Sequence, residues 1–260
     1  GDLITIFSHG NGLWQDSPAL ISVSRSHDHG ATWEKPAVIN NQILTTDPAG
    51  IQPIKCTSAF ASSGRAVQLS DGRIMFALVT RRAGNKNFKV YAIYSDDGGY
   101  NWKASSNPAS EDGDEAKIVE LPDGSLIMSI RNRFGSLRKF SYSKDRGETW
   151  SEPLPIESLP DPRCNGDIIR YTHNGKDILL HSLPSDPKGR NDVAIFVSED
   201  NGKNWHIRKK VVTSPSAYSS MTVLPDGSVG ILTEESQNNH YSYNIWFTRL
   251  PIETIISKTE

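Results

Sequence analysis

The chain has 260 residues, a formal net charge of −2 and 36% hydrophobic residues, enough to bury a real core. That charge gives no electrostatic reason to expect nucleic acid or an anionic membrane surface as a partner. No apolar run approaches the ~20 residues that span a bilayer, so membrane insertion is not expected either. Cys56 and Cys164 lack metal-type spacing and read as reduced thiols rather than a disulfide, and neither a metal nor a cofactor is expected.

Taken in chain order, GDLITIF (1–7) reads as a strand caught mid-element, with its natural start expected upstream and no signal-like segment present. SHDHGATW (26–33) follows, and the chain nearly repeats it as SDDGGYNW (95–102), SKDRGETW (143–150) and SEDNGKNW (198–205). Four fixed letters at this spacing arise by chance about once per 10^5 start positions, so four copies are an internal repeat. Ahead of the last three copies run LSDGRIMFAL (69–78), LPDGSLIMSI (121–130) and the looser THNGKDILLHS (172–182); LPDGSVGILT (224–233) comes last. Asp-Gly or Asn-Gly between apolar runs marks a tight hairpin, because the turn needs positive φ.

Anchoring on that glycine gives five units, beginning at Gly1, Gly72, Gly124, Gly175 and Gly227. In the first four, the tryptophan of the Ser-Asp-Gly-Trp motif follows 26 to 32 residues later; the fifth offers only the strand YNIWFTRL (243–250). Each unit reads as three or four short strands with almost no helical periodicity. Repeated small sheets of this length point to a β-propeller rather than a two-sheet sandwich. Within the motif, Ser and Asp can bond turn amides, Gly takes positive φ, and Trp buries its ring while its N–H keeps a partner. The aspartates Asp28, Asp97, Asp145 and Asp200 are therefore structural, since they repeat where a single active site cannot.

Function is expected where polar residues break the repeat. Glu115 and Tyr218 lie nine residues before their anchors, Arg131 and Glu234 seven after, and Asp16 and Arg190 fifteen after. Offsets of minus nine and plus seven return to the end of the sheet opposite the turn, so these groups gather at one mouth of the propeller. Singly, each has a bland reading: a strand-end arginine is usually solvated, Glu115 sits in the acidic SEDGDEAK, Tyr218 could be an interface aromatic, Asp16 a turn cap and Glu234 half of an ion pair. Jointly, two arginines, three carboxylates and a tyrosine at one cavity point to an anionic ligand.

The four boxes, with DEAKIVELPDGSLIMSIRNR (114–133), LHSLPSDPKGRNDVAIFVSEDNGKNW (180–205) and AYSSMTVLPDGSVGILTEE (217–235), resemble the exo-α-sialidases (neuraminidases) of bacterial and animal type. The resemblance covers nearly the whole chain and implies one six-bladed sialidase-type propeller over 1–260, lacking its N-terminal strand. It implies removal of terminal sialic acid from glycans with retention. On this pattern Tyr218 matches the nucleophile, Glu115 the residue that takes its proton, and Asp16 the acid/base. Arg131 and Arg190 match two members of the arginine triad that binds the substrate carboxylate, and Glu234 the glutamate that orients the triad's first arginine. That first arginine belongs to an Arg-Ile-Pro motif upstream of the first hairpin, and this chain begins after it. Sialylated glycans are thus the expected partners, with a carbohydrate-binding module possible outside this chain and a secreted, periplasmic or cell-surface location. The alternatives are a non-catalytic glycan-binding propeller, which would need the arginines but not the Tyr–Glu pair, and a trans-sialidase.

Overall fold

The computed structural model describes residues 2–10, 19–45, 54–82, 84, 86–236 and 242–257. The first sheet is an antiparallel meander of β1 (Leu3–His9), β2 (Leu20–Ser26) and β3 (Ala37–Val38). A single helical turn, α1 (Asn40–Ile43), and the short parallel pair β4 (Leu44–Thr45) and β5 (Ile54–Lys55) lead to the second sheet. There β6 (Ser58–Ala61) and β7 (Val67–Gln68) share the inner edge of β8 (Ile74–Arg81), followed by β9 (Phe88–Ser95) and β10 (Lys103–Ala104). The third sheet is β11 (Gly113–Glu120), β12 (Leu126–Asn132), β13 (Leu137–Ser143) and β14 (Leu154–Pro160). The fourth is β15 (Asp167–His173), β16 (Lys176–Pro184), β17 (Val193–Ser198) and β18 (His206–Lys210). The fifth is β19 (Ser216–Val223), β20 (Val229–Glu235) and β21 (Asn244–Leu250), closed by the turn α2 (Glu253–Ile256).

Chain order is spatial order within every blade, and the first strands β11, β15 and β19 neighbour one another around the centre. The anchor turns do what their residues require. In the third blade the Gly124 N–H donates to Leu121 O at 3.0 Å and Gly124 sits at φ +80°, where a side chain would be strained.

The core lies between blades rather than within them. Ile21 and Val23 of β2 meet Leu78 and Ile93 of the second blade; Met75 and Ala77 meet Ile118 and Met128 of the third; Ile127 and Phe140 meet Leu179 and Phe196 of the fourth. Each interior box tryptophan belongs to one of these layers, so Trp102, Trp150 and Trp205 each sink against the preceding blade. The fifth unit has no box, and Ile252 and Ile255 at α2 join the last layer.

Each box links the last two strands of its blade. In the third, Ser143 Oγ accepts the Gly147 N–H at 2.8 Å and donates to Asp145, Asp145 takes the Thr149 N–H at 2.9 Å, and Trp150 Nε1–H donates to Gly147 O at 3.1 Å. The first box makes the same bonds, but its tryptophan departs from the expected burial: Trp33 is 45% exposed. Among the described residues no preceding blade exists to receive the ring. Both cysteines are free and buried, as the spacing suggested.

Candidate functional site

Two β-bulges build the site. In β11 the pairing jumps from Gly113↔Asn132 to Ala116↔Ile130, so Asp114 and Glu115 together oppose Arg131. In β19 it jumps from Ser216↔Glu235 to Ser219↔Thr233, so Ala217 and Tyr218 together oppose Glu234. Such a bulge adds one residue, breaks the alternation and re-aims a side chain. The offsets of minus nine and plus seven are thus cross-strand neighbours, and each bulge borrows a carboxylate for an amide that the ladder leaves over. Asp114 Oδ1 accepts the Glu115 N–H at 2.9 Å, and Glu234 Oε2 accepts the Tyr218 N–H at 3.1 Å.

The two bulges bring their side chains together across the channel. Tyr218 OH donates to Glu115 Oε2 at 2.7 Å. Arg131 Nη1 donates to the same oxygen at 2.6 Å and to Tyr218 OH at 3.2 Å. Glu115 is 3% exposed, so these bonds form largely out of water, where they are strong. Burial, and then the Glu115 charge, push the Tyr218 phenol well above its ordinary range, which keeps it protonated and neutral at neutral pH. Burial opposes the charge of Arg131, yet Asp114 and Glu115 outweigh it and its pKa rises. Burial lifts the Asp114 carboxyl in turn, against the pull of Arg131.

Arg190 comes from the β16–β17 loop and lies over Tyr218, its guanidinium carbon 5.6 Å from the ring centroid. Its Nη2 donates to Arg163 O at 2.8 Å. The loop carrying Arg163 is tied down by buried Asp161, which accepts the Cys164 N–H at 3.1 Å and the Asn132 N–H at 2.8 Å and pairs with buried Arg138 at 3.2 Å. One carboxylate therefore braces the backbone beside Arg131 and the support of Arg190.

Five of the six singled-out residues, Glu115, Tyr218, Arg131, Glu234 and Arg190, meet at one mouth. Asp16 lies outside the described residues. Glu234 is turned to the Tyr218 backbone. The sequence reading missed Asp114, Asp161 and Ser63, whose hydroxyl donates to Glu115 Oε1 at 2.9 Å. A signal existed only for Ser63, which lies nine residues before Gly72, at the offset of Glu115 and Tyr218.

With that geometry in place, the comparisons are specific. Residues 1–231 match the family model described as a BNR repeat-like domain. A sialidase of Bacteroides fragilis is 28% identical over 256 residues, covering 90% of this chain and 45% of the relative. A sialidase of Micromonospora viridifaciens is 31% identical over 232 residues, covering 85% of this chain and 34% of the relative. Among solved structures, Hadza microbial sialidase Hz136 superposes with a TM-score of 0.83 at 26% identity, over 98% of this chain and 50% of that one. The chain thus spans about half, or less, of the length of these relatives. The fold is an all-β propeller of sialidase type, and the five blades described accord with the expected six-bladed form represented in part. The chain belongs to the sialidase family, within the BNR repeat-like domains.

Proposed function

We propose that this chain carries the catalytic propeller of a retaining exo-α-sialidase acting on terminal sialic acids of glycoproteins, glycolipids or oligosaccharides. The observation that carries the reading is the Tyr218–Glu115 hydrogen bond of 2.7 Å, with Arg131 on both partners. Sialic acid bears a carboxylate on its anomeric carbon, which repels a carboxylate nucleophile; a neutral tyrosine avoids that repulsion. Tyr218 Oη attacks the anomeric carbon while Glu115 Oε2 takes the phenol proton. Arg131 Nη1 steadies the oxygen as charge develops on it. The glycosidic bond breaks and its oxygen leaves with a proton from Asp16, the acid/base on the family pattern. Water then attacks the tyrosyl adduct, giving its proton to Asp16 while Tyr218 recovers its own from Glu115. Arg131 and Arg190 form charge-assisted bonds to the substrate carboxylate.

The test is hydrolysis of a fluorogenic sialoside. Tyr218→Phe removes only the nucleophilic oxygen, so turnover is lost while a sialic-acid analogue binds within about tenfold of wild type. Near-normal kcat in this variant removes Tyr218 from the nucleophile role.

A further inference from the structure

The inner edge of the second blade is broken at the place where the third and fifth blades carry their bulges. β6 ends at Ala61 and β7 begins at Val67, both paired to β8. The intervening segment is stitched to the bulge of the neighbouring blade. Ser62 Oγ accepts the Ala116 N–H at 2.8 Å and donates to Ala116 O at 3.0 Å. Ser63 Oγ donates to Glu115 Oε1 at 2.9 Å. The Ser63 carbonyl in turn accepts from the Lys117 ammonium and from Asn165 Nδ2, the latter at 3.3 Å. Gly64 sits at φ +104°, and a side chain there would run into the Lys117 stem, so the residue type permits this approach.

Lys117 is an expensive anchor. It is 3% exposed, and burial pulls its pKa down to about 8 against the support of Asp167 and Glu115, with Arg138 and Arg65 also facing it. Its ammonium bonds only one side chain, Asn165 Oδ1 at 3.1 Å, among the described residues.

We infer that Ser63 is a positioning residue for Glu115: its hydroxyl holds Oε1 so that Oε2 faces Tyr218, and Lys117 fixes the Ser63 peptide in place. The inference rests on Glu115 being the base of the proposed reaction. Glu115 Oε2 already serves both Tyr218 and Arg131. Without a donor on Oε1, a bidentate Arg131–Glu115 pair becomes the favoured arrangement. That pair draws the guanidinium off the substrate carboxylate and turns the receiving lone pair away from Tyr218.

Ser63 is exposed, so Ser63→Ala folds without a core penalty. Its crystal structure should show the Glu115 carboxylate rotated and the bond to Tyr218 broken. Sialoside hydrolysis should show kcat about 10-fold lower with KM within about twofold, and Ser63→Thr should restore most of the loss. Lys117→Met should lower kcat similarly, and the double variant should be no worse than either single one. An unmoved carboxylate, or wild-type kcat, in Ser63→Ala overturns the inference; additive losses in the double variant overturn the anchor role of Lys117. A wild-type protein that hydrolyses no sialoside defeats the proposed function instead, and the crystal structures still decide whether Ser63 sets Glu115.

Discussion

At the outer end of the third blade, Asp145 closes the turn between β13 and β14; at the inner end, Asp114 and Glu115 bulge from β11 opposite Arg131. Both ends spend carboxylates on backbone amides, but the outcomes differ. The box carboxylates are saturated with donors. Asp28 is held down to about 2 by the Thr32 hydroxyl and amide, and Asp97 to about 2 by the Asn101 amide and side chain. A carboxylate so satisfied is a poor base. At the bulge, Asp114 is pushed the other way by burial, and Glu115 takes the Ser63 hydroxyl, Arg131 and the Tyr218 phenol O–H, so one of its donors is the proton that the proposed reaction moves. The repeated end builds the fold, and on the proposed mechanism the unrepeated end moves a proton.

The largest effect that can break this comparison is on turnover. Glu115→Gln should cut kcat by about 10^2- to 10^4-fold, the range for a general base, with little change in Tm. An equal loss of Tm would show that the bulge is structural and leave the two ends alike. The next effect is on stability. Trp150→Ala should cost about 3–5 kcal/mol in urea unfolding, because a buried ring leaves a cavity between blades two and three, while surviving folded protein keeps its KM. Trp33→Ala, at the same position of the same motif, should stay within about 0.5 kcal/mol, since its ring is exposed. Equal costs at the two tryptophans would mean that the box acts within its own hairpin rather than between blades.

The smallest effect is acidic. The folded-state pKa of Asp97 lies below its ordinary value of 3.8, so folding favours the ionised form. Its stabilising contribution is present above about pH 4 and lost as the pH falls toward 2. Asp97→Asn should therefore have a lower urea midpoint than wild type at pH 5, with the gap closing near pH 2. A gap independent of pH would contradict the donor-saturation account.

The repeat made much of this legible. Anchor glycines, boxes and strand counts follow from local turn chemistry, and equal offsets place Glu115, Tyr218, Arg131 and Arg190 at one mouth without any knowledge of contacts. What stayed hidden depends on neighbours far along the chain. The offset gives the height of Glu115 but not the extra residue that makes it bulge, because that is a relation to β12. Ser63 shares the offset of Glu115 and Tyr218, but its bond to Glu115 exists only where blade two meets blade three, 52 residues later. Trp33 reads like the other three box tryptophans, since only the presence of a preceding blade separates them. The resemblance pairs Glu234 with an arginine upstream of this chain; its bond to the Tyr218 amide across the strand depends on the β19 bulge and cannot be read from an offset.

The central claim is that Tyr218 forms the covalent intermediate, and a mechanism-based label tests it most directly. In a 2,3-difluoro sialic acid the C2 fluoride can leave as Tyr218 Oη bonds the anomeric carbon, while the C3 fluorine slows the hydrolysis that follows. Intact-mass analysis and peptide mapping should find one 3-fluorosialosyl group on the peptide bearing Tyr218, and none in Tyr218→Phe. A label on any other residue, or one that persists in Tyr218→Phe, would contradict the account.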